Sequence, residues 1–220
     1  MEYMMRRGGI NHINGSRLFV YKMTRNLLGW TGDQGGYLRK AIQAVSIFGV
    51  PPEEHWPYEI ERYEEEPAAF HYAYADNFRA LNYARLDPYG IPPEEILTTV
   101  KRTIYAGYAV VFGFTVFSSL TQAPDIAFPD NNDSARGGHA VMAVGYDDHH
   151  AVNGQTVPSL VIRNSWGRDW GGVEAMACCP TTICFVDWRG ISGPVSSGAG
   201  LTPGSSTRPK IVEMRQSDNY

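Results

Sequence analysis

The 220-residue sequence predicts an α+β fold in which helices come first and the main strands follow. Helical hydrophobic spacing covers much of residues 1–48 and returns at 93–105. Runs rich in valine, isoleucine and phenylalanine begin at residue 109 and recur as far as residue 163. Because helices and strands occupy separate parts of the chain, we expect a protein with segregated helical and β-rich halves.

Four helices are predicted, at residues 1–7, 16–28, 37–48 and 93–105. Their ends carry the usual signals. The third stops at Gly49, before two prolines, and the fourth opens at Pro92 and Pro93 with two glutamates in its first turn.

Four strands are predicted, at residues 79–85, 109–117, 140–146 and 159–163. We place a lobe boundary before the first of them. Residues 1–78 are then the remainder of a helical lobe, and 79–172 form the β-rich lobe. Residues 173–220 are predicted to be an aberrant, disordered tail, because Gly, Ser, Pro and Thr dominate from 190 to about 209 without periodicity.

Composition excludes several classes of function. The net charge is −4 and no run of lysine and arginine forms a basic stripe, so we expect no nucleic-acid partner. No apolar stretch of about 18 residues predicts a membrane span, and no signal peptide is visible, which leaves the compartment open. The three cysteines (Cys178, Cys179 and Cys184) match neither a disulfide framework nor a standard zinc spacing, so we expect no metal or cofactor.

Two segments carry the chemistry. In the first, residues 137–147 (GGHAVMAVGYD), His139 begins an apolar strand after two glycines. In the second, residues 161–167 (VIRNSWG), Asn164 follows another strand. An asparagine oxygen that accepts from one ring nitrogen fixes the histidine tautomer and leaves the other nitrogen for a thiol.

Either segment by itself has a structural explanation, since a lone histidine at a strand start is usually structural and Asn-Ser-Trp-Gly is an ordinary turn. The two segments together favour a catalytic pair. The remaining histidines lack such a context and are interpreted as surface or packing residues: His12, His55, His71, His149 and His150.

The two segments are similar to the histidine and asparagine motifs of the papain-like (C1) cysteine peptidases, through GGHAV-x-AVGYD followed by RNSWG-x-x-WG. The resemblance implies a helical lobe, a β-barrel-like lobe and Cys-His-Asn hydrolysis of peptide or protein substrates without a cofactor. His139 would be the base or imidazolium partner, and Asn164 would orient it. Trp166 would cover the His–Asn hydrogen bond from water.

The N-terminal half resembles a bacterial branch of the same family, through the segments SRLFVYK, TRNLL, GDQGGYLR and FGVPPEE, and the likeness covers roughly residues 1–172. It implies that Gly35 and Gly36 line the substrate cleft, although a plain helix-entry loop explains them equally well. Gly138, next to the histidine, would let a substrate backbone come close.

The family pattern breaks at the nucleophile. The cysteine is expected about 130–150 residues before the histidine, which places it at or before about residue 9. Residues 1–177 contain no cysteine, and Cys178, Cys179 and Cys184 follow the histidine and match no motif. We therefore expect Met1 to be an internal methionine of a longer ancestral chain, the fold to be incomplete at both ends, and the chain as printed to be inactive.

The pattern breaks again after Gly171. The codons that can encode residues 173–194 can also be read in a shifted frame. Among the sequences that this frame allows is one similar to the C-terminal sequence of the bacterial branch. We interpret this as a possible frameshift near Gly172 or Val173, which the nucleotide sequence across those codons tests. Two other interpretations stay open: a pseudopeptidase that binds peptides without cleaving them, and an intact enzyme whose sequence or start site is in error. A peptide-binding assay tests the first and flanking DNA tests the second.

Overall fold

The computed structural model of the chain describes residues 1–9, 11–80, 82–121, 124–152, 154–172, 176–181 and 214–215. These residues belong to two compact units. The first holds the described residues up to Arg85 together with 214–215, and the second holds those from Leu86 to Thr181. The chain passes from one unit to the other after Arg85, whereas the sequence analysis placed the lobe boundary before residue 79.

The first unit is mainly helical. Its elements are α1 (Glu2–Arg7), α2 (Arg17–Leu28), α3 (Leu38–Phe48), a 3₁₀ turn (Ile60–Arg62), α4 (Ala69–Ala75), a second 3₁₀ turn (Asp76–Phe78) and the short strand β1 (Arg79–Ala80). β1 pairs antiparallel with another two-residue strand, Met214–Arg215. Of the predicted strand at 79–85, residue 81 lies outside the described residues, and among the others only Arg79 and Ala80 form a strand.

Ser16 fixes the start of α2. Its hydroxyl accepts a hydrogen bond from the Phe19 N–H at 3.2 Å and donates one to the Trp56 carbonyl at 2.6 Å. The first bond satisfies a free N–H at the helix N-terminus, and the second ties the helix to the segment that follows α3. The core of this unit then forms from α2, α3, α4 and the Trp56 segment, with these buried residues: Leu18, Phe19, Met23, Ala44, Trp56 and Ala75.

The second unit is built on one antiparallel sheet. Its elements are α5 (Pro93–Tyr105), β2 (Val110–Phe117), β3 (Ala135–Asp147), β4 (Ala151–Val152), β5 (Gln155–Thr156), β6 (Ser159–Arg163) and β7 (Met176–Pro180). The main sheet has the order β2-β3-β6-β7, while β4 and β5 form a separate hairpin. Among the described helices of both units, none combines the length and the hydropathy needed to cross a bilayer.

The core of the second unit lies where α5 packs on β2 and β3. Alternate residues of β2 point into it, as Phe112 and Phe114 are 4% and 1% exposed. Val141, Ala143, Leu160 and Ile162 contribute from the two central strands. This core is close-packed around the strands that carry both segments singled out in the sequence, so it holds their backbones in place.

β7 lies at the start of the segment that was predicted to be a disordered tail. Residues 176–180, expected to be disordered, pair with β6 in a five-residue register that joins Val161 to Cys178. Burial alternates along these residues as it does in a strand, since Ala177 and Cys179 are buried while Cys178 is half-buried. Residues 173–175, 182–213 and 216–220 lie outside the described residues, and so does most of the predicted disordered stretch.

The connection between β2 and β3 is held by Asp133. Its carboxylate accepts four hydrogen bonds of 2.7–2.8 Å, from the Asp130 N–H, the Ser119 N–H and the hydroxyls of Ser118 and Ser119. The Asp130 N–H and the two hydroxyls hold the pKa of Asp133 below its ordinary range, because they stabilise the charged form. This carboxylate thus fixes the loop from which β3 starts.

Asp133→Asn is expected to lower the melting temperature near neutral pH, because the amide has one acceptor oxygen where the carboxylate has two. A carboxylate whose pKa is lowered by folding stabilises the folded state at pH values above its unfolded-state pKa, about 3.9 for aspartate. This stabilisation is lost as the pH falls through the folded-state pKa. The difference from wild type should therefore shrink below about pH 4, as measured by thermal unfolding from pH 7 to pH 3. Asp130→Asn is the matched control, because Asp130 accepts a single backbone bond, from Asn132. A difference that stays constant over this pH range would contradict the assignment.

Candidate active site

His139 lies within β3, directly opposite Phe114 of β2. The two rings meet edge to face with centroids 6.0 Å apart, so the imidazole stands on the face of the strand that the buried Phe114 occupies. Two residues before His139, Gly137 has φ +139°, a conformation that side chains with a Cβ rarely adopt. It follows a register shift in which Arg136 has no partner on β2, and such bulges re-aim the residues next to them.

Asn164 follows the last residue of β6 and reaches His139 on the neighbouring strand. The His139 Nε2 and Asn164 Oδ1 atoms are 2.7 Å apart. Oδ1 also accepts the Ser165 N–H at 2.8 Å, and this second donor fixes the orientation of the amide. Because Oδ1 can only accept, Nε2 must carry the hydrogen, and Nδ1 of the neutral ring is left with a lone pair.

Trp166 covers one face of the histidine. The two rings are stacked with centroids 4.3 Å apart and planes at 27°. Trp166 is 45% exposed, but it packs edge to face at 5.4 Å on Trp170, which is 5% exposed and belongs to the core. The stack thus runs from the core to the imidazole and covers one face of the ring.

Holding the Asn164 amide in this position lowers the stability of the fold. Asn164 is 7% exposed, and its Nδ2 is buried with no hydrogen-bond partner among the described residues. A buried donor left unpaired costs about 1–3 kcal/mol, so the amide is retained for what its oxygen does. His139 Nδ1 likewise makes no hydrogen bond to any described residue and is open to a further group. Chemically, the pair can take a proton at Nδ1 while the ring stays oriented through Nε2.

The three predicted cleft glycines fall in both units. Gly138 is exposed, adjoins His139 and pairs with Thr115 of β2. Gly35 has φ +77°, and its N–H donates to the Tyr21 hydroxyl at 3.1 Å. A Cβ on Gly36 would lie 2.9 Å from Thr24 Cγ2, so close packing on α2 accounts for the missing side chain.

The contacts that hold the loop before α3 were not predicted from the sequence. The Tyr21 hydroxyl donates to Asp33 Oδ1 at 2.5 Å while it accepts from Gly35, and the pKa of Tyr21 is raised by burial and by this bond to Asp33. The Glu64 carboxylate accepts from the Gly32 N–H and from Arg25. These partners are separated by up to 39 residues, and no local pattern links them.

Cys178 lies too far from His139 to be its nucleophilic partner. Through β6, Cys178 aligns with Gly145 of β3, six residues from His139 and so roughly 20 Å along the strand at about 3.3 Å per residue. Burial, together with Asp125 and Asp147, raises the pKa of the Cys178 thiol, whereas a nucleophilic cysteine needs a lowered one. The described residues therefore contain a histidine–asparagine pair without a cysteine beside it.

Comparison with known proteins agrees with this geometry. The family model described as papain family cysteine protease matches residues 23–177. An uncharacterized peptidase C1-like protein of Acanthamoeba polyphaga mimivirus is 32% identical over an alignment of 165 residues, and the match covers 71% of this chain and 50% of that protein. The chain thus spans about half the length of the curated relative it matches.

Solved structures give the same result at the level of the fold. Xylellain, a cysteine protease from Xylella fastidiosa, superposes with a TM-score of 0.66 at 28% identity, over 80% of this chain and 68% of that one. The bromelain protease from Ananas comosus superposes with a TM-score of 0.55 at 17% identity, over 84% and 79%. These matches confirm the resemblance and the α+β fold class predicted from the sequence.

Proposed function

Because the chain belongs to the papain family of cysteine proteases, we propose that His139 and Asn164 are the base and its orienting partner in the hydrolysis of peptide or protein substrates. Trp166 shields their hydrogen bond. Gly138, beside the histidine, leaves room for a substrate backbone. Gly35 and Gly36, in the loop before α3, are proposed to contact substrate as well. The observation that carries the proposal is the 2.7 Å bond from Nε2 to Oδ1, which leaves Nδ1 as the acceptor.

The chemistry that this pair supports begins with a thiol proton moving to Nδ1. The thiolate then attacks the carbonyl carbon of the scissile bond, and the imidazolium, still held by Asn164, returns its proton to the leaving amine. Water releases the acyl group in a second step, with the histidine again taking and returning a proton. Each step needs the imidazole in one orientation, which the asparagine and the stacked tryptophan provide.

We further propose that the printed chain does not carry out this reaction by itself. No cysteine occurs in residues 1–177, and Cys178 lies roughly 20 Å along the sheet from His139. The histidine–asparagine pair is thus available, but the thiol is not. A small thiol supplied from solution is expected to take its place in part.

The test is thiol rescue with a 4-nitrophenyl ester of a short blocked peptide. The purified protein should show no turnover above buffer until 2-mercaptoethanol is added. The added thiol then loses its proton to Nδ1, its sulfur forms a thioester, and nitrophenolate leaves. A positioned general base contributes about 100-fold or more, so His139→Ala should lose most of the protein-dependent rate. Asn164→Ala should lose part of it.

A histidine outside the pair provides the control, because His149→Ala removes an imidazole of the same unit without touching the pair. Equal rescue rates in His139→Ala and His149→Ala would refute the assignment of the base. Hydrolysis without added thiol that disappears in Cys178→Ser would refute the proposal that this chain lacks its nucleophile.

A further inference from the structure

A second cluster of reactive side chains lies beside β7, apart from the His139 site. Asp125, His150 and Cys178 each offer one ligand atom, and these atoms all lie within 4.8 Å of one another. All three residues are partly buried. They come from three separate segments of the second unit, so their convergence is a property of the fold rather than of a local turn.

Backbone hydrogen bonds hold Asp125 next to Cys178. The Cys178 N–H donates to the Pro124 carbonyl at 2.8 Å, and the Ile126 N–H donates to the Cys178 carbonyl at 2.9 Å. Residues 124–126 thus run along β7 as a short parallel bridge. These two hydrogen bonds, one on each side of Asp125, hold the two backbone segments together and so keep the Asp125 carboxylate near the Cys178 thiol.

His150 approaches the same point from the start of the β4–β5 hairpin, where its carbonyl accepts the Val157 N–H at 2.7 Å. Its Nε2 lies 2.7 Å from Asp125 Oδ1, and its Nδ1 lies 4.0 Å from Asp147 Oδ2. A histidine that binds a metal through one nitrogen commonly directs the other at a carboxylate, which fixes the ring. Asp147 is placed for that outer role.

The spacing is close to that of a tetrahedral zinc site. Bond lengths of about 2.0–2.3 Å put the ligand atoms of one ion about 3.3–3.8 Å apart. The widest separation in the cluster, at most 4.8 Å, would then close by up to about an ångström, and the 2.7 Å pair of His150 Nε2 and Asp125 Oδ1 would open by roughly half an ångström. Thiolate, imidazole and carboxylate together suit Zn²⁺, whereas Mg²⁺ and Ca²⁺ take oxygen ligands. We propose that Asp125, His150 and Cys178 bind one zinc-type divalent ion, with water in the fourth position.

The sequence predicted no metal site, because its cysteines match no standard zinc spacing. The three ligands are separated by 25 and 28 residues, and only the bridge to β7 and the hairpin bring them together. This site does not depend on the proposed peptidase chemistry. Cys178 belongs to the part of the sheet that lies away from His139, and neither residue of the catalytic pair is a ligand.

The experiment uses Co²⁺ as a spectroscopic substitute for Zn²⁺. Titration of the purified, reduced protein should give one Co²⁺ per chain, with the strong visible bands of tetrahedral Co²⁺ and a near-ultraviolet sulfur-to-cobalt band. Zn²⁺ should displace it. Because loss of an outer-shell partner alone weakens metal sites about 10–100-fold, Cys178→Ser, His150→Ala and Asp125→Asn should each weaken binding at least about tenfold.

Two histidine variants serve as controls. His149→Ala and His139→Ala should keep the Co²⁺ spectrum and the affinity, since neither residue belongs to the cluster. The sulfur-to-cobalt band should vanish in Cys178→Ser. Weak octahedral binding, one ion per two chains, or a sulfur band that survives in Cys178→Ser would each overturn the proposal. His150→Gln, which keeps the size of the side chain, repeats the histidine test with less disturbance of packing.

Discussion

Replacing Arg25 by methionine is expected to lower the free energy of unfolding of the first unit by about 2–3 kcal/mol. The Arg25 side chain is 0% exposed, although it carries a charge. Its guanidinium donates to the Tyr63 carbonyl at 2.9 Å and to the Glu64 carboxylate, and it lies 5.1 Å and 5.3 Å from the ring centres of Tyr21 and Tyr63. Methionine fills similar space but leaves the Tyr63 carbonyl and Glu64 without this donor.

The expected cost lies below the roughly 3–5 kcal/mol of a fully buried broken ion pair, because Glu64 is 40% exposed and returns to water when its partner is lost. Lys22→Met is the matched control. Lys22 lies on the same helix and also pairs with Glu64, at 3.8 Å, but its contacts are exposed carboxylates, and such pairs contribute about 1 kcal/mol or less. Urea unfolding of both variants measures the difference, and equal losses would show that burial of the guanidinium is not the cause.

The sequence predicted those parts of the fold that local rules govern. α5 and β6 have the predicted bounds, Pro93–Tyr105 and Ser159–Arg163, because proline, acidic residues and β-branched runs mark their ends. The helix α4 was missed. It has seven residues and no side-chain cap, and its aromatic residues Phe70, Tyr72 and Tyr74 recur at every second position, which is the period of a strand.

The candidate active site was predictable to the level of residue identity, and its geometry was not. Position in the motifs selects His139 and Asn164, but the presentation of Oδ1 and not Nδ2 to the imidazole depends on the Ser165 N–H, which fixes the amide. The support of Trp166 by Trp170 likewise depends on packing. Contacts between distant segments, such as Asp125 beside Cys178, follow from strand pairing that no local pattern encodes.

The predicted β3 strand, 140–146, was too short for the same reason. The structure extends it to Ala135–Asp147, through two glycines that sequence rules assign to a turn. Gly137 and Gly138 stay in the strand because β2 supplies partners, Val116 and Thr115. The histidine therefore stands within a continuous ladder and not at a strand start, which gives its backbone less freedom than the sequence implied.

Gly49→Ala is expected to be the most damaging single substitution in the first unit, with a loss of at least about 4 kcal/mol in the free energy of unfolding. Gly49 ends α3 with φ +75° and ψ −160°, a region that is essentially restricted to glycine. A Cβ there would lie 1.8 Å from the carbonyl oxygen of Ala75 and 2.6 Å from its carbonyl carbon. Both atoms are backbone at the end of α4, so relief requires α3 and α4 to separate.

Gly29→Ala separates this clash from the cost of the backbone angle. Gly29 ends α2 with φ +67° and ψ +29°, and a Cβ there would meet nothing within 4 Å. The left-handed conformation costs about 1–2 kcal/mol for alanine, so Gly29→Ala should stay folded. Domains hold about 5–15 kcal/mol in reserve, so a loss of about 4 kcal/mol or more should move the thermal transition of Gly49→Ala well below that of Gly29→Ala. If the two variants unfold at the same urea concentration, α3 and α4 do not pack as closely at Gly49 as the structure shows, because the backbone clash with Ala75 exists at Gly49 and not at Gly29.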